Sequence, residues 1–197
     1  MSEPAGLITG SDGHQRCWWP GKDADYLAYH DTEWGNEVHD DVLLYEKLCL
    51  EGFQSGLAWL TILRKREAFR SAFAEFDPAL VAAYDDTDVQ RLLDYASIVR
   101  HRGKIQAAIT NARVVLELAD THGSFDTFAW KFAPQPKPAR PSSSAEVPAV
   151  TAQSTAFAKA LRSAGARFVG PTTAYAFMQS MGMVNDHIVG CDFGRDS

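Results

Sequence analysis

Apolar residues recur along this chain at helical spacing, interrupted by short polar breaks. Leu44, Leu48 and Glu51 fall at i, i+4 and i+7 of a helix opened by Asp40 and Asp41, so a carboxylate shares a stripe with two leucines. Gly52 and Gly56 are expected to break that helix before Trp59 begins the next. Upstream, Asp23 or Asp25 caps a short helix carrying Tyr26, Tyr29 and His30. Leu57 to Phe76 reads as one long helix closed by Asp77-Pro78, because the residue before a proline avoids the helical region. Pro78 to Tyr84 and Thr87 to Tyr95 follow as shorter helices, the second capped by Thr87. Arg102 to Ala119 carries Ile105, Ile109, Ala112 and Leu116 on its apolar stripe, and Phe125 to Phe132 is short and aromatic. Thr151 to Ala164 ends at Gly165, and Phe168-Val169-Gly170 turns into Pro171 to Met181, with proline at the first helical position. No alternating strand pattern or internal repeat stands out, so the expected fold class is all-α.

The longest interruption, APQPKPARPSSSAEVPAV at 133–150, is rich in Pro and Ser and reads as an exposed crossover loop. The expected organisation is a flexible tail over 1–16, one two-lobed domain over 17–191 and a C-terminal tail over 192–197. A hydrophobic content of 46% and charged content of 22% are those of an ordinary soluble globular protein, and no apolar run reaches membrane-span length. The first residues lack the pattern of a signal peptide, so a reducing cytoplasm is the expected location. A net charge of −6 excludes a protein that coats nucleic acid non-specifically, but not one with a local basic face. Arg64-Lys65-Arg66 and Arg100-His101-Arg102-Gly103-Lys104 could supply one, although each alone is more simply a solvated helix face.

Four groups of residues carry candidate chemistry. Glu51, beside glycines and Trp59, could line a pocket for a flat ligand with N–H donors; a helix-terminal Glu turned to water is the commoner arrangement. Trp18, Trp19, Tyr26, Tyr29, Trp34 and Trp59 crowd around this stretch, mostly in a Gly- and Asp-rich segment ill suited to a core, and suit a cationic heteroaromatic ring. Cys17, His30, His187 and Cys191 make a two-Cys, two-His set typical of structural zinc, with His187 and Cys191 one helical turn apart. Cys17 and His30 lack finger-like spacing, and four unrelated polar residues remain the alternative. Last, the glycine-containing turn from Gly165 to Gly170 would present backbone N–H groups at a helix N-terminus to a phosphate, or be an ordinary helical corner.

Five stretches in this order resemble the 3-methyladenine DNA glycosylase I family: Tyr29-His30-Asp31-Thr32-Glu33-Trp34-Gly35, Leu50 to Trp59, Arg100 to Gln106, Phe168-Val169-Gly170, and Val184-Asn185-Asp186-His187-Ile188-Val189-Gly190-Cys191. The resemblance spans nearly everything from Cys17 to Cys191. It implies an all-α helix–hairpin–helix glycosylase with a DNA-facing cleft between two lobes, its chain ends joined at a structural zinc held by Cys17, His30, His187 and Cys191. It implies that Glu51 and Tyr29 contact the excised base, with Trp19, Tyr26, Trp34 and Trp59 lining or supporting the pocket. Gly170, Arg102 and Lys104 would meet DNA, with Arg64 and Arg66 as further phosphate candidates. The implied partner is double-stranded DNA bearing alkylated adenine, bound by a monomer.

The departures are informative. Where bifunctional members of the superfamily carry a lysine, this chain has Thr172, so no amine is placed for a Schiff-base lyase step. The superfamily aspartate position reads Asn185, the first hairpin glycine reads Phe168, and Phe53 stands at a position where glutamine is expected. The implied reaction flips a methylated, cationic base from the duplex, stacks it on aromatics, and uses Glu51 to accept hydrogen bonds from its edge and to stabilise its charge while water attacks the sugar. A lesion-binding protein that releases nothing, and a zinc-stabilised interaction domain, are the rival readings.

Overall fold

The computed structural model describes residues 6–194. The helix that the rest packs around is α2, Asp41–Gln54, in which every residue from Leu44 to Phe53 is buried. A helix covered on all sides must pair its charges, and Glu46 does so with Arg70 at 3.0 Å. Asp40 caps α2 by accepting from the Leu43 N–H at 2.9 Å. Gly52 lies inside α2 rather than breaking it, facing Phe168, with which even a Cβ at this position would make ordinary contact. The chain turns at Gly56, whose φ is +81°. The cationic end of Lys104 then closes α2 by donating to the Phe53 and Ser55 carbonyls at 2.9 and 2.6 Å.

Before α2 comes α1, Ala24–Thr32, capped by Asp23. After it, the single long helix expected over 57–76 is three pieces: α3 (Trp59–Leu63), α4 (Arg66–Ala72) and a 3-10 turn, Ala74–Phe76. Ala74, Glu75 and Phe76 all take positive φ. That kink stacks Phe73 on Phe76 with planes 4° apart and sends Phe53, Phe69 and Phe73 into one cluster. Phe53 is therefore core, away from the cavity described below. α5 (Pro78–Ala82) follows under an Asp77 cap, and α6 (Asp86–Asp94) is capped by Asp85 in a reciprocal box with Asp88, just ahead of the expected Thr87. α7, Arg102–His122, buries Ile105, Ile109 and Ala112 as expected, but Leu116 is 39% exposed and Val115 is the buried neighbour. α8 (Phe125–Trp130), α9 (Ala152–Ser163) and α10 (Pro171–Ser180) complete the bundle.

The ends depart most from expectation. Residues read as a flexible tail form an antiparallel hairpin, β1 (Leu7–Thr9) on β2 (Gln15–Cys17), pairing Leu7 with Cys17. Asp192, read as tail, accepts from the Gln15 N–H at 2.9 Å. Residues 1–5 and 195–197 lie outside the described residues. The 133–150 crossover carries one 3-10 turn, Ser144–Glu146, and Arg140 within it donates to the carbonyls of His187, Ile188, Cys191 and Gly194. It fastens the C-terminal segment in place. No helix among the described residues is long and apolar enough to cross a membrane.

Candidate active site and metal centre

Cys17 from β2, His30 from α1 and His187 and Cys191 from the segment after α10 converge, all buried, with their ligand atoms within 4.8 Å of one another. The closest approaches are Cys191 Sγ to His187 Nδ1 at 3.4 Å and to His30 Nε2 at 3.7 Å. His187 and Cys191 reach the cluster through a turn at Gly190 (φ +95°), not through a helix. Each histidine is oriented by its other nitrogen. His30 Nδ1 meets Asp31 at 2.7 Å, and Arg16 grips Asp31 in turn at 2.8 Å. His187 Nε2 meets the Trp34 carbonyl at 3.2 Å. Such outer partners fix the tautomer that points the free nitrogen at a metal. Gly35 shows how tight the fit is: with φ +82°, a Cβ there would lie 3.1 Å from His187 Nε2. Hydrogen bonding by Cys17, His187 and His30 pulls the Cys191 thiol far below its ordinary range, toward the thiolate that binds metal. This set could hold a metal ion, and its donor chemistry fits one.

Against this cluster lies a cavity of about 250 Å³. Its walls include all six aromatics singled out in the sequence, together with Glu51. Drug-sized ligands use roughly 300 Å³ or more; this space suits one planar heterocycle. Trp19 packs edge-on to Tyr26 at 4.9 Å and to Trp34 at 5.0 Å, and Tyr29 leans on Trp59 at 5.6 Å. Burial, with Tyr29 and Glu51 nearby, pushes the Tyr26 hydroxyl up to about 12. Burial likewise raises Tyr29, although Lys47 offsets part of the effect. Trp59 Nε1 is buried without a hydrogen-bond partner, a donor left for a ligand.

Sequence reasoning missed a residue at the centre of this wall. Lys47, one turn before Glu51 on α2, places Nζ 2.8 Å from Glu51 Oε1, both side chains being at most 7% exposed. The same ammonium donates to Tyr29 Oη at 3.0 Å and sits 3.4 Å from the Trp59 ring centroid. Burial works against its charge, but Glu51 and Tyr29 outweigh that and hold the Lys47 ammonium above its ordinary value. The seat over Trp59 expected for a cationic ring is thus occupied by the chain's own cation. The i, i+4 Lys–Glu spacing was the available signal. Gln179 and Asp186 also line the cavity, and no spacing pattern marked them.

The DNA-facing expectations divide. Lys104 is buried and committed to the end of α2, where burial lowers its proton affinity, so it offers nothing to a phosphate. Arg64 is held by Asp23 and Asp25, and Arg66 by Glu33. Arg102 is exposed, with a 3.4 Å contact to Gln90. Gly170 caps α10 with no side-chain hydrogen bond, and nothing lies within 4 Å of where a Cβ would stand. Phe168 beside it takes φ +56°.

A sequence profile of the methyladenine glycosylase family matches residues 19–195. The chain is 48% identical over 178 residues to DNA-3-methyladenine glycosylase 1 of Escherichia coli strain K12, covering 90% of this chain and 95% of that protein. A crystal structure of 3-methyladenine DNA glycosylase I superposes with a TM-score of 0.87 at 49% identity, over 90% of this chain and 98% of that one. A structure addressing 3-methyladenine recognition by 3-methyladenine DNA glycosylase I from Staphylococcus aureus gives 0.87 at 34% identity, over 89% of this chain and 94% of that one. With a profile match over nearly its whole length and a relative close to half identical, this chain belongs to the methyladenine glycosylase family.

Proposed function

We propose that this chain is a monofunctional DNA glycosylase that excises 3-methyladenine from alkylated duplex DNA and leaves an abasic site for base excision repair. The observation that carries this reading is the gathering of six aromatics and Glu51 around one cavity in a chain of this family. Methylation at N3 gives adenine a positive charge and makes it a good leaving group. The damaged nucleotide stacks poorly, so turning it out of the duplex costs least. Trp19, Tyr26 and Trp34 enclose the ring, and Trp59, with Lys47 over its face, supports the wall. Lys47 occupies Glu51 Oε1, leaving Oε2 to accept from the base edge, and because Tyr29 Oη accepts from Lys47 its own proton is free to be donated. As the sugar–N9 bond breaks, its electron pair stays on N9 and neutralises the base. Water adds to the sugar carbon and loses a proton.

In the same reading α9, the Gly165–Gly170 turn and α10 form the helix–hairpin–helix unit, with the uncapped α10 N-terminus at Gly170 and exposed Arg102 meeting phosphates. The metal is zinc. With four protein ligands it leaves no open position, so it holds structure and takes no part in the reaction. The protein works on double-stranded DNA as a monomer.

The test is base release from methylated duplex DNA by zinc-loaded protein, separating 3-methyladenine from 7-methylguanine. Selective release of 3-methyladenine is expected. Binding of free 3-methyladenine without release would reduce the protein to a lesion binder, and folded protein that does neither would refute the proposal.

A further inference from the structure

Three charged side chains line the cavity: Lys47, Glu51 and Asp186. Their surroundings are unequal. Glu51 and Lys47 lie 2.8 Å apart and almost wholly out of water, so together they carry no net charge. A cationic ring beside them is attracted by one and repelled by the other at similar range, and little remains of either effect. Asp186, 9% exposed, is held differently. Its Oδ2 accepts from the Tyr175 hydroxyl at 2.6 Å and from Gln179 Nε2 at 2.7 Å, and both donors are neutral. Burial and the contact with Asp186 push the Tyr175 hydroxyl well above its ordinary value, so it stays a donor. Neither donor carries a charge that could cancel that of the carboxylate, unlike the ammonium beside Glu51.

We propose that Lys47 and Asp186 together set the charge of the cavity: Lys47 cancels Glu51, and Asp186 is the carboxylate left to meet the positive charge of the methylated base. The proposal rests on the reading of this cavity as the lesion pocket and reassigns one task within it. Glu51 recognises the base edge by hydrogen bonding, while preference for a charged over a neutral purine belongs to Asp186. Unmodified adenine gains nothing from Asp186. The excised base, neutral once N9 has taken the bonding electrons, loses that attraction at the moment it must leave.

Two small probes separate charge from shape. Free 3-methyladenine is neutral; 3,9-dimethyladeninium carries a methyl in place of the sugar and keeps the charge. Affinities of the zinc-loaded full chain for both are read from quenching of the pocket tryptophans. Asp186→Asn, which keeps an acceptor for Tyr175 and Gln179, should lower the cation-to-neutral affinity ratio by roughly tenfold or more. Lys47→Met, which leaves Glu51 uncancelled, should raise that ratio by roughly tenfold. A ratio within about threefold of wild type in either folded variant overturns the proposal, and if Asp186→Asn fails to retain zinc the Lys47→Met arm decides it alone. Wild-type protein that binds neither probe and releases no base would overturn the glycosylase reading along with it, so the two failures are distinguishable.

Discussion

The four-residue Cys/His cluster and the aromatic cavity are built from the same two stretches of backbone and treat polar groups in opposite ways. Tyr29 faces the cavity and His30, the next residue, faces the metal cluster; Asp186 and His187 repeat the arrangement on the opposite side. Trp34 touches both, packing on the His187 ring at 4.6 Å while lining the cavity. At the centre every ligand side chain meets another ligand or an outer partner. In the cavity Trp59 Nε1 has no partner, and Trp18 is 40% exposed. A metal bound by all four ligands would make the cluster rigid and hold the aromatic walls of the cavity apart. The apolar residues at the Cys/His site, Leu7, Cys17, Ile188 and Cys191, form a small cluster separate from the main core, so a metal on these ligands would tie the segments together alongside Arg140 and the Asp192–Gln15 hydrogen bond.

The largest effect should come from cutting that tie. Cys17→Ser should abolish excision and lower the unfolding free energy by at least about 3 kcal/mol, read from denaturant melts at fixed zinc. Next, Glu51→Gln should slow single-turnover excision by roughly a hundredfold. It should also cost about 2 kcal/mol, because the buried Lys47 ammonium loses its charged partner. A variant with that loss of rate and unchanged zinc content separates cavity chemistry from the centre's scaffolding. Smaller still, Lys104→Met should cost about 1–3 kcal/mol by leaving carbonyls at the end of α2 unpaired. It should leave the salt dependence of DNA binding unchanged. Arg102→Ala should do the reverse, with stability within about 0.5 kcal/mol of wild type and a salt slope shallower by about 0.9.

Why some of this was legible and some not follows from range. Caps at Asp23 and Asp40, the α2 stripe through Leu44, Leu48 and Glu51, and the turn before Pro171 are local chemistry and stand where expected. The convergence of Cys17, His30, His187 and Cys191 was legible because two Cys and two His are a rare set, even though their spacing is not local. The kink that divides 57–76 was hidden because three residues accept left-handed backbone to stack Phe73 on Phe76, a tertiary reason. The β1–β2 hairpin was hidden because three-residue strands carry too little alternation to read. Lys104 looked like a phosphate contact because sequence shows charge, not what a side chain is spent on. Lys47 was the costlier miss. Its spacing to Glu51 was visible, yet a lysine on a helix normally means solvent, and only the burial of all sides of α2 makes it part of the cavity.

The most direct test of the link between the two regions is the affinity for free 3-methyladenine before and after zinc is removed with a chelator, followed by tryptophan quenching while far-UV circular dichroism tracks the helices. The account predicts that the helical signal persists and binding falls by at least tenfold, returning when zinc is restored. Metal-free protein that keeps its helices and binds 3-methyladenine with undiminished affinity would contradict it.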